Sequence, residues 1–249
     1  MEENSKWNMI VKRSIFAFII ILIAAVIGLI ILKYSVEGEQ NMPFNLSEVL
    51  VISTAEGYQE KQTDENKWNV DILQTNDVYL NILKNKNYKD KEIIREIKIS
   101  NINIEEDPKV GKISIYIPDE NNQTYNYEAR CKVNSEIIYS GDIKSDIKNL
   151  KISNQGGTII FRIVNETGKQ YISNEDELKH DGTLLKKVGI STDDITSKIS
   201  FDVTICLESD ISFTAKISLK LPVGDITTQG VSSIEKKDIE DIVFKRETN

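Results

Sequence analysis

The chain holds one histidine, His180, beside Asp181 in Leu178-Lys179-His180-Asp181-Gly182. An imidazole next to a carboxylate is the pairing that general-base chemistry uses. No serine or cysteine can be assigned as its nucleophile, and Gly182 marks an exposed helix end. His180 therefore reads as a structural or solvent-exposed residue. The clusters Glu105-Glu106-Asp107, Asp119-Glu120 and Asp193-Asp194 offer oxygen ligands of the type calcium takes. None has the alternating spacing and central glycine of a calcium loop, so they read as solvated turns. Two scattered cysteines and one histidine are too few for a structural zinc site.

Tyr125 and Tyr127 share one face of a strand and could stack on a sugar ring, but Ala129, Cys131 and Val133 share that face and mark it as core. Asn154-Gln155-Gly156-Gly157 lacks the Lys-Ser/Thr ending and following helix of a phosphate loop, and reads as a turn. Asn45, Asn122 and Asn165 begin N-x-Ser/Thr sequons, which matter only in a eukaryotic secretory pathway. The sequence assigns no catalytic, cofactor-binding or metal-ligating residue, and no cofactor.

The elements around these residues are more telling. Ser14 to Leu32 is a run of nineteen residues without a charge. As a helix it spans about 28 Å, close to the hydrocarbon thickness of a bilayer. Lys6, Lys12 and Arg13 precede it, whereas Lys33 follows with Glu37 and Glu39. That bias predicts a cytoplasmic N-terminus and an extracytoplasmic body at the cell membrane. Trp7 and Tyr34 suit the two interfaces. The run is longer than a signal-peptide core, and Lys33-Tyr34-Ser35-Val36-Glu37 offers no cleavage site, so a retained signal-anchor is expected. Ala24 and Gly28, with Ala17 near the same face, fit a small-xxx-small pattern for lateral self-association; plain anchoring accounts for them equally.

Past residue 32 there remain 217 residues, with 37 acidic against 28 basic side chains. This acidic balance argues against nucleic acid and against an anionic membrane surface as partners. The whole chain has forty isoleucines and only four prolines, which favours strands. Strand parity puts Cys131 inward and Cys206 among Asp202 and Thr204 on an exposed face, a poor arrangement for a disulfide.

Alternation predicts strands at 68–72 and 78–82 joined by a turn at Thr75-Asn76-Asp77. A bulge near Ser100-Asn101 would keep Ile97, Ile99, Ile102 and Ile104 on one face. Further strands are expected at 113–117, at 150–153 and 158–164 around the glycine turn, and in a long hairpin over 201–219 turning at Ser209-Asp210. A short helix is possible at 175–179. The residues after Gly230 read either as a helix from Ser232 or as a strand at 242–245.

The pattern predicts an all-β fold: an antiparallel β-sandwich tethered by one N-terminal transmembrane helix. The expected division is a cytoplasmic N-terminus (1–13), a transmembrane helix (14–32), a tether (33–44), one β-sandwich domain (45–225) and an acidic tail (226–249).

Met42-Pro43-Phe44, Ser53-Thr54-Ala55-Glu56-Gly57, Asn154-Gln155-Gly156-Gly157 with Phe161-Arg162, and Phe244-Lys245-Arg246 resemble segments of an uncharacterised family of single-pass membrane proteins with a β-rich extracytoplasmic domain from low-GC Gram-positive bacteria. The resemblance implies topology and origin, and brings no site residues with it. Function then divides between a binding or scaffolding module at the cell envelope and an extracytoplasmic hydrolase of envelope polymers. The lack of a nucleophile, metal or phosphate motif favours the first.

Overall fold

The computed structural model describes residues 13–30, 42–64, 66–118, 131–141, 150–174, 177, 179, 182–237 and 241–247. Helix α1 (Arg13–Ile30) is apolar, long enough to cross a membrane, and has none of its length buried against the rest of the chain. All else is mostly strand.

The strands run as β1 (Phe44–Asp64), β2 (Lys67–Lys84), β3 (Ile94–Glu106), β4 (Lys112–Tyr116), β5 (Ile137–Ser140), β6 (Leu150–Lys151) and β7 (Gly156–Ser173). After short helices α2 (Leu184–Lys187) and α3 (Thr192–Ile195) come β8 (Ser197–Leu207) and β9 (Ser212–Leu221). Helix α4 (Ile226–Gln229), β10 (Val231–Lys236) and β11 (Lys245–Arg246) follow. The first sheet has the order β10-β1-β2-β7-β4 and the second β11-β9-β8-β3-β5-β6. Pairings among the described strands are antiparallel except the short parallel β5–β6 contact.

Period-two alternation decides which face of each strand is apolar. Val78, Leu80 and Ile82 of β2 and Ile159, Phe161 and Ile163 of β7 point the same way and are fully buried. They share one apolar cluster with Ile97 and Ile99 of β3, Phe201, Val203 and Ile205 of β8, and Ala215 and Ile217 of β9. The two sheets meet directly where the Phe161 ring sits edge-on to Phe201, with centroids 5.2 Å apart at 87°. Each such buried side chain contributes about 1.5–3 kcal/mol.

A second cluster lies further along the long strands. There Val70, Ile72 and Ile172 are capped by Leu184 and Leu185 of α2, Ile195 of α3 and Ile226 of α4. Between the clusters runs a buried polar belt: Ser53, Gln74, Asn76 and Asn165 are each at most 1 % exposed. Ser53 Oγ donates to Asn76 Oδ1 (2.7 Å), Gln74 Nε2 donates to the same oxygen (2.8 Å), and Asn76 Nδ2 donates to the Ile163 carbonyl (3.2 Å). Net hydrogen-bond energies of about 1 kcal/mol each are small beside the apolar burial. The belt's larger effect is to penalise any register that leaves Ser53, Gln74 and Asn76 unpaired.

Several expectations are corrected by this arrangement. Thr75-Asn76-Asp77 is no turn; it lies mid-strand in β2, because Asn76 finds its partners across β1 and β7 and Asp77 pairs with Arg162. The hairpin joins β1 to β2 instead. The glycine segment does not make a hairpin either: β6 belongs to the second sheet and β7 to the first. The tether does not extend to residue 44, since Met42 and Phe44 are 2 % and 0 % exposed in the main cluster. Residues 226–249 are not a separate tail. β10 pairs with β1 over Val49–Thr54, β11 pairs with β9, and Phe244 is buried in the main core.

Other expectations match. The β8–β9 hairpin turns at Ser209-Asp210, where Asp210 takes φ 61°. The β3 irregularity falls between Ser100 and Asn103. It returns Ile102 to the core side, while Ile104 stays exposed. The helix expected at 175–179 lies largely outside the described residues.

Candidate functional site

At one end of the body, here the near end, the chain arriving from α1 meets the loop between β2 and β3. The Pro43 carbonyl accepts from Asn85 N (2.8 Å) and the Met42 carbonyl from Asn85 Nδ2 (2.9 Å). Asn85 also shapes the loop that follows, its Oδ1 accepting from Asn87 N (2.9 Å) and its carbonyl from Tyr88 N (3.1 Å). This loop is stitched to the β8–β9 turn. Ser209 Oγ donates to Glu92 (2.9 Å), Arg95 pairs with Asp210, and Glu208 N donates to the Ile93 carbonyl (3.1 Å).

Between these loops and β11 opens a cleft of about 470 Å³. Leu207, Ile211 and Phe213 supply its apolar surface, while Asn87, Tyr88, Lys89, Asp90 and Arg246 supply its polar groups. Arg246 is placed by backbone pairing with Phe213 and by Glu247, whose N–H donates to the Ser212 carbonyl (2.9 Å) and whose carboxylate accepts from Thr214 Oγ1 (2.6 Å). Burial raises the Tyr88 phenol above its ordinary value, and Glu92 and Asp90 push the same way. Tyr88 thus stays a neutral hydrogen-bonding ring at physiological pH. An apolar floor with a few converging polar groups suits binding. Among the described residues of the lining, Asp90 is the one carboxylate.

No protein family, curated protein or solved structure matches this chain.

Of the residues singled out in the sequence as candidate sites, those that the structure describes lie elsewhere. His180, Asp181, Tyr125, Tyr127, Asn122, Asp119 and Glu120 fall outside the described residues. Glu105 is taken up by Lys198 (2.9 Å) and Lys216 (3.3 Å), and Lys198, Ser200 and Lys216 together lower its carboxyl to about 2. Asp194 closes a capping box on Ser191 at the start of α3, which lowers its carboxyl below the ordinary range. Among the described residues no three metal-ligating side chains come together. Asn165 is fully buried, so its sequon is closed to modification in the folded chain, whereas Asn45 is exposed. Ala24 is exposed on α1, and nothing lies within 4 Å of where a Gly28 side chain would be.

Both cysteine readings need correction. Cys131 is buried, but it does not point into the main core as strand parity predicts: it packs with Tyr116 and Val164 on the outer face of the first sheet, whereas Val133 packs against the main core. Cys206 is also buried, at 4 % exposure, although it shares its side of β8 with Asp202 and Thr204. Its cross-strand neighbours Glu96 and Ser212, with the long stems of Arg95 and Lys98 nearby, cover it. Both thiols are free.

None of the cleft residues was singled out in the sequence as a candidate site residue. A usable signal was present in Lys84 to Arg95, which carries five basic and two acidic residues inside an acidic body.

Proposed function

We propose that this chain is a single-pass membrane protein whose body, a two-sheet β-sandwich, is displayed outside the cytoplasm as a binding module at the cell envelope. The observation that carries the reading is α1, apolar on every face yet buried against nothing in its own chain. A helix that is hydrophobic all round belongs in a protein core or a lipid bilayer, and this one has no core around it. Lys6, Lys12 and Arg13 before the span support a cytoplasmic N-terminus. The single-pass family that Met42-Pro43-Phe44 and Phe244-Lys245-Arg246 resemble has the same topology. The near-end cleft supplies the binding surface. Among the described residues the cleft lining brings one carboxylate, Asp90, beside an apolar floor, an arrangement suited to binding.

The test is made on the full chain in bacterial cells. The protein resists alkaline extraction from membranes, and a reporter fused after Asn249 is active only outside the cytoplasm. A photo-crosslinking residue at Tyr88 forms an adduct with an envelope component, and the same residue at exposed Tyr171 does not. Cytoplasmic reporter activity, or equal labelling from both positions, overturns the reading.

A further inference from the structure

The two edges of the first sheet are finished differently. Beyond β4 the edge is closed: Val133 N donates to the Ile115 carbonyl (2.8 Å) and Ile117 N donates to the Cys131 carbonyl (2.9 Å). At the other edge stands β10, last in the sheet order and paired with β1. In an antiparallel ladder, alternate residues of an edge strand bond inward and the others turn their backbone groups outward. Ala55 N donates to the Gly230 carbonyl (3.1 Å), one step beyond the Thr54–Val231 pair, and this bond sets the phase. Ser232, Ile234 and Lys236 therefore bond to β1, while Val231, Ser233 and Glu235 direct their N–H and carbonyl groups away from the sheet. Among the described residues no backbone group meets them.

Such an edge is a template for a further strand, and proteins usually blunt it with proline, a bulge or charge. Over Val231–Ile234 the strand carries none of these. Its register with β1 runs unbroken from Val49 to Thr54, and Val231 and Ile234 are 51 % and 53 % exposed. Charge begins only at Glu235, and it is matched within the chain: Glu235 pairs with Lys237 (2.7 Å) and Lys236 with Asp241 (2.7 Å).

The spacing of the outward residues selects the occupant. Val231, Ser233 and Glu235 form a set centred on Ser233 that a half-turn maps onto itself. A second β10 laid antiparallel about that centre sets Ser233 against Ser233 and Val231 against Glu235, twice over. Every outward N–H and carbonyl of both strands then has a partner, and no like charges stand opposite each other. The same register sets Ser232 against Ile234, which makes the two Ile234 side chains diagonal neighbours on one face and covers apolar surface that each copy alone exposes. Sliding the copies by two residues in either direction leaves one outward residue of each strand past the end of the other.

We propose that β10 is a self-pairing edge, through which two copies of this chain join their first sheets across a two-fold axis at Ser233. This contact is separate from the cleft and does not depend on what the cleft binds.

The experiment uses the full chain in detergent micelles. With a short bismaleimide, Ser233→Cys should cross-link two copies about fivefold more than Tyr171→Cys, an exposed position on β7. Cys131 and Cys206 are buried and add nothing to the signal. Sedimentation should find the parent dimeric and Ser233→Pro about tenfold weaker in association at an unchanged thermal midpoint, because proline there removes an outward N–H and no bond to β1. Ile234→Lys should weaken the dimer in the same way by setting two cations diagonally across the axis, so the test stands even where proline lowers the midpoint. A monomeric parent overturns the proposal, and so does equal cross-linking from the two cysteine positions. Dimers that persist undiminished in both variants, as pairing of α1 alone would give, overturn it too.

Discussion

Asn76 sits opposite Ser53 at the centre of the first sheet, fully buried, and accepts the serine hydroxyl at 2.7 Å. The same Asn76 oxygen takes Gln74 Nε2, its amide donates to the Ile163 carbonyl, and Ser53 Oγ in turn accepts from Val223 N (2.9 Å). One side chain thereby links β1, β2 and β7 and, through Ser53, the chain leaving β9.

Replacing Asn76 by alanine leaves a serine hydroxyl, a glutamine amide and a backbone carbonyl to find new partners inside a packed sheet. The expected loss is about 2–4 kcal/mol of stability, since each stranded buried group costs roughly 1–3 kcal/mol. Urea denaturation of Asn76→Ala against the parent measures it. Ser53→Ala should lose less, because only its bonds to Asn76 and Val223 are removed. A loss below 1 kcal/mol for Asn76→Ala contradicts the role given to the belt.

Gly111 and Gly168 form a matched pair for testing close packing. Both have positive φ, 99° and 73°. A Cβ on Gly111 would come within 1.9 Å of Asn165 Oδ1, whereas nothing lies within 4 Å of one on Gly168. Asn165 is held by its own bond to the Val110 carbonyl (2.9 Å) and cannot swing away cheaply. Gly168→Ala should cost about 1 kcal/mol of backbone strain, and Gly111→Ala at least twice as much. Thermal unfolding of the two variants side by side decides it; equal losses would show that Asn165 yields.

Acid should weaken the second sheet through Glu105. Lys198, with Ser200 and Lys216, brings its carboxyl from the ordinary 4.5 down to about 2. A depressed carboxylate stabilises the fold above its unfolded value, and that contribution is lost as pH falls through the folded one. The window is therefore pH 4.5 down to 2. Asp225 shares the behaviour, brought from 3.8 to about 2 by Thr227 and Thr228. Chemical denaturation across this range should give a shallower pH slope in Glu105→Gln than in the parent. The difference should shrink in high salt, because the pair is solvent-exposed. Identical slopes at low salt refute the assignment.

Both thiols should be silent in the folded protein. Cys131 and Cys206 are each 4 % exposed and stand on the outer faces of different sheets. A thiol reagent should label neither until denaturant is added, then both with equal stoichiometry. Peptide mapping should find no Cys131–Cys206 link, since a disulfide needs Cα atoms within about 7 Å. Rapid labelling of native Cys206 would mean that the stems of Arg95 and Lys98 do not cover it.

Wherever the pattern is local, the sequence alone determined the outcome. The apolar run makes a helix over the described residues Arg13–Ile30 because nothing in it opposes one. Phe201, Val203, Ile205 and Leu207 answer Phe213, Ala215 and Ile217 across Ser209-Asp210, because a period of two and a short polar turn leave one register with a buried face. Tertiary structure decided what depends on distant partners. Asn76 and its neighbours look like a turn until β1 and β7 supply acceptors and donors, and Cys206 looks exposed until side chains of the next strand lie over it. The cleft is the furthest from legible. Its walls come from residues 87–90, 207–213 and 246, brought together by sheet order, and sheet order follows from long-range pairing energies that no short window of sequence contains.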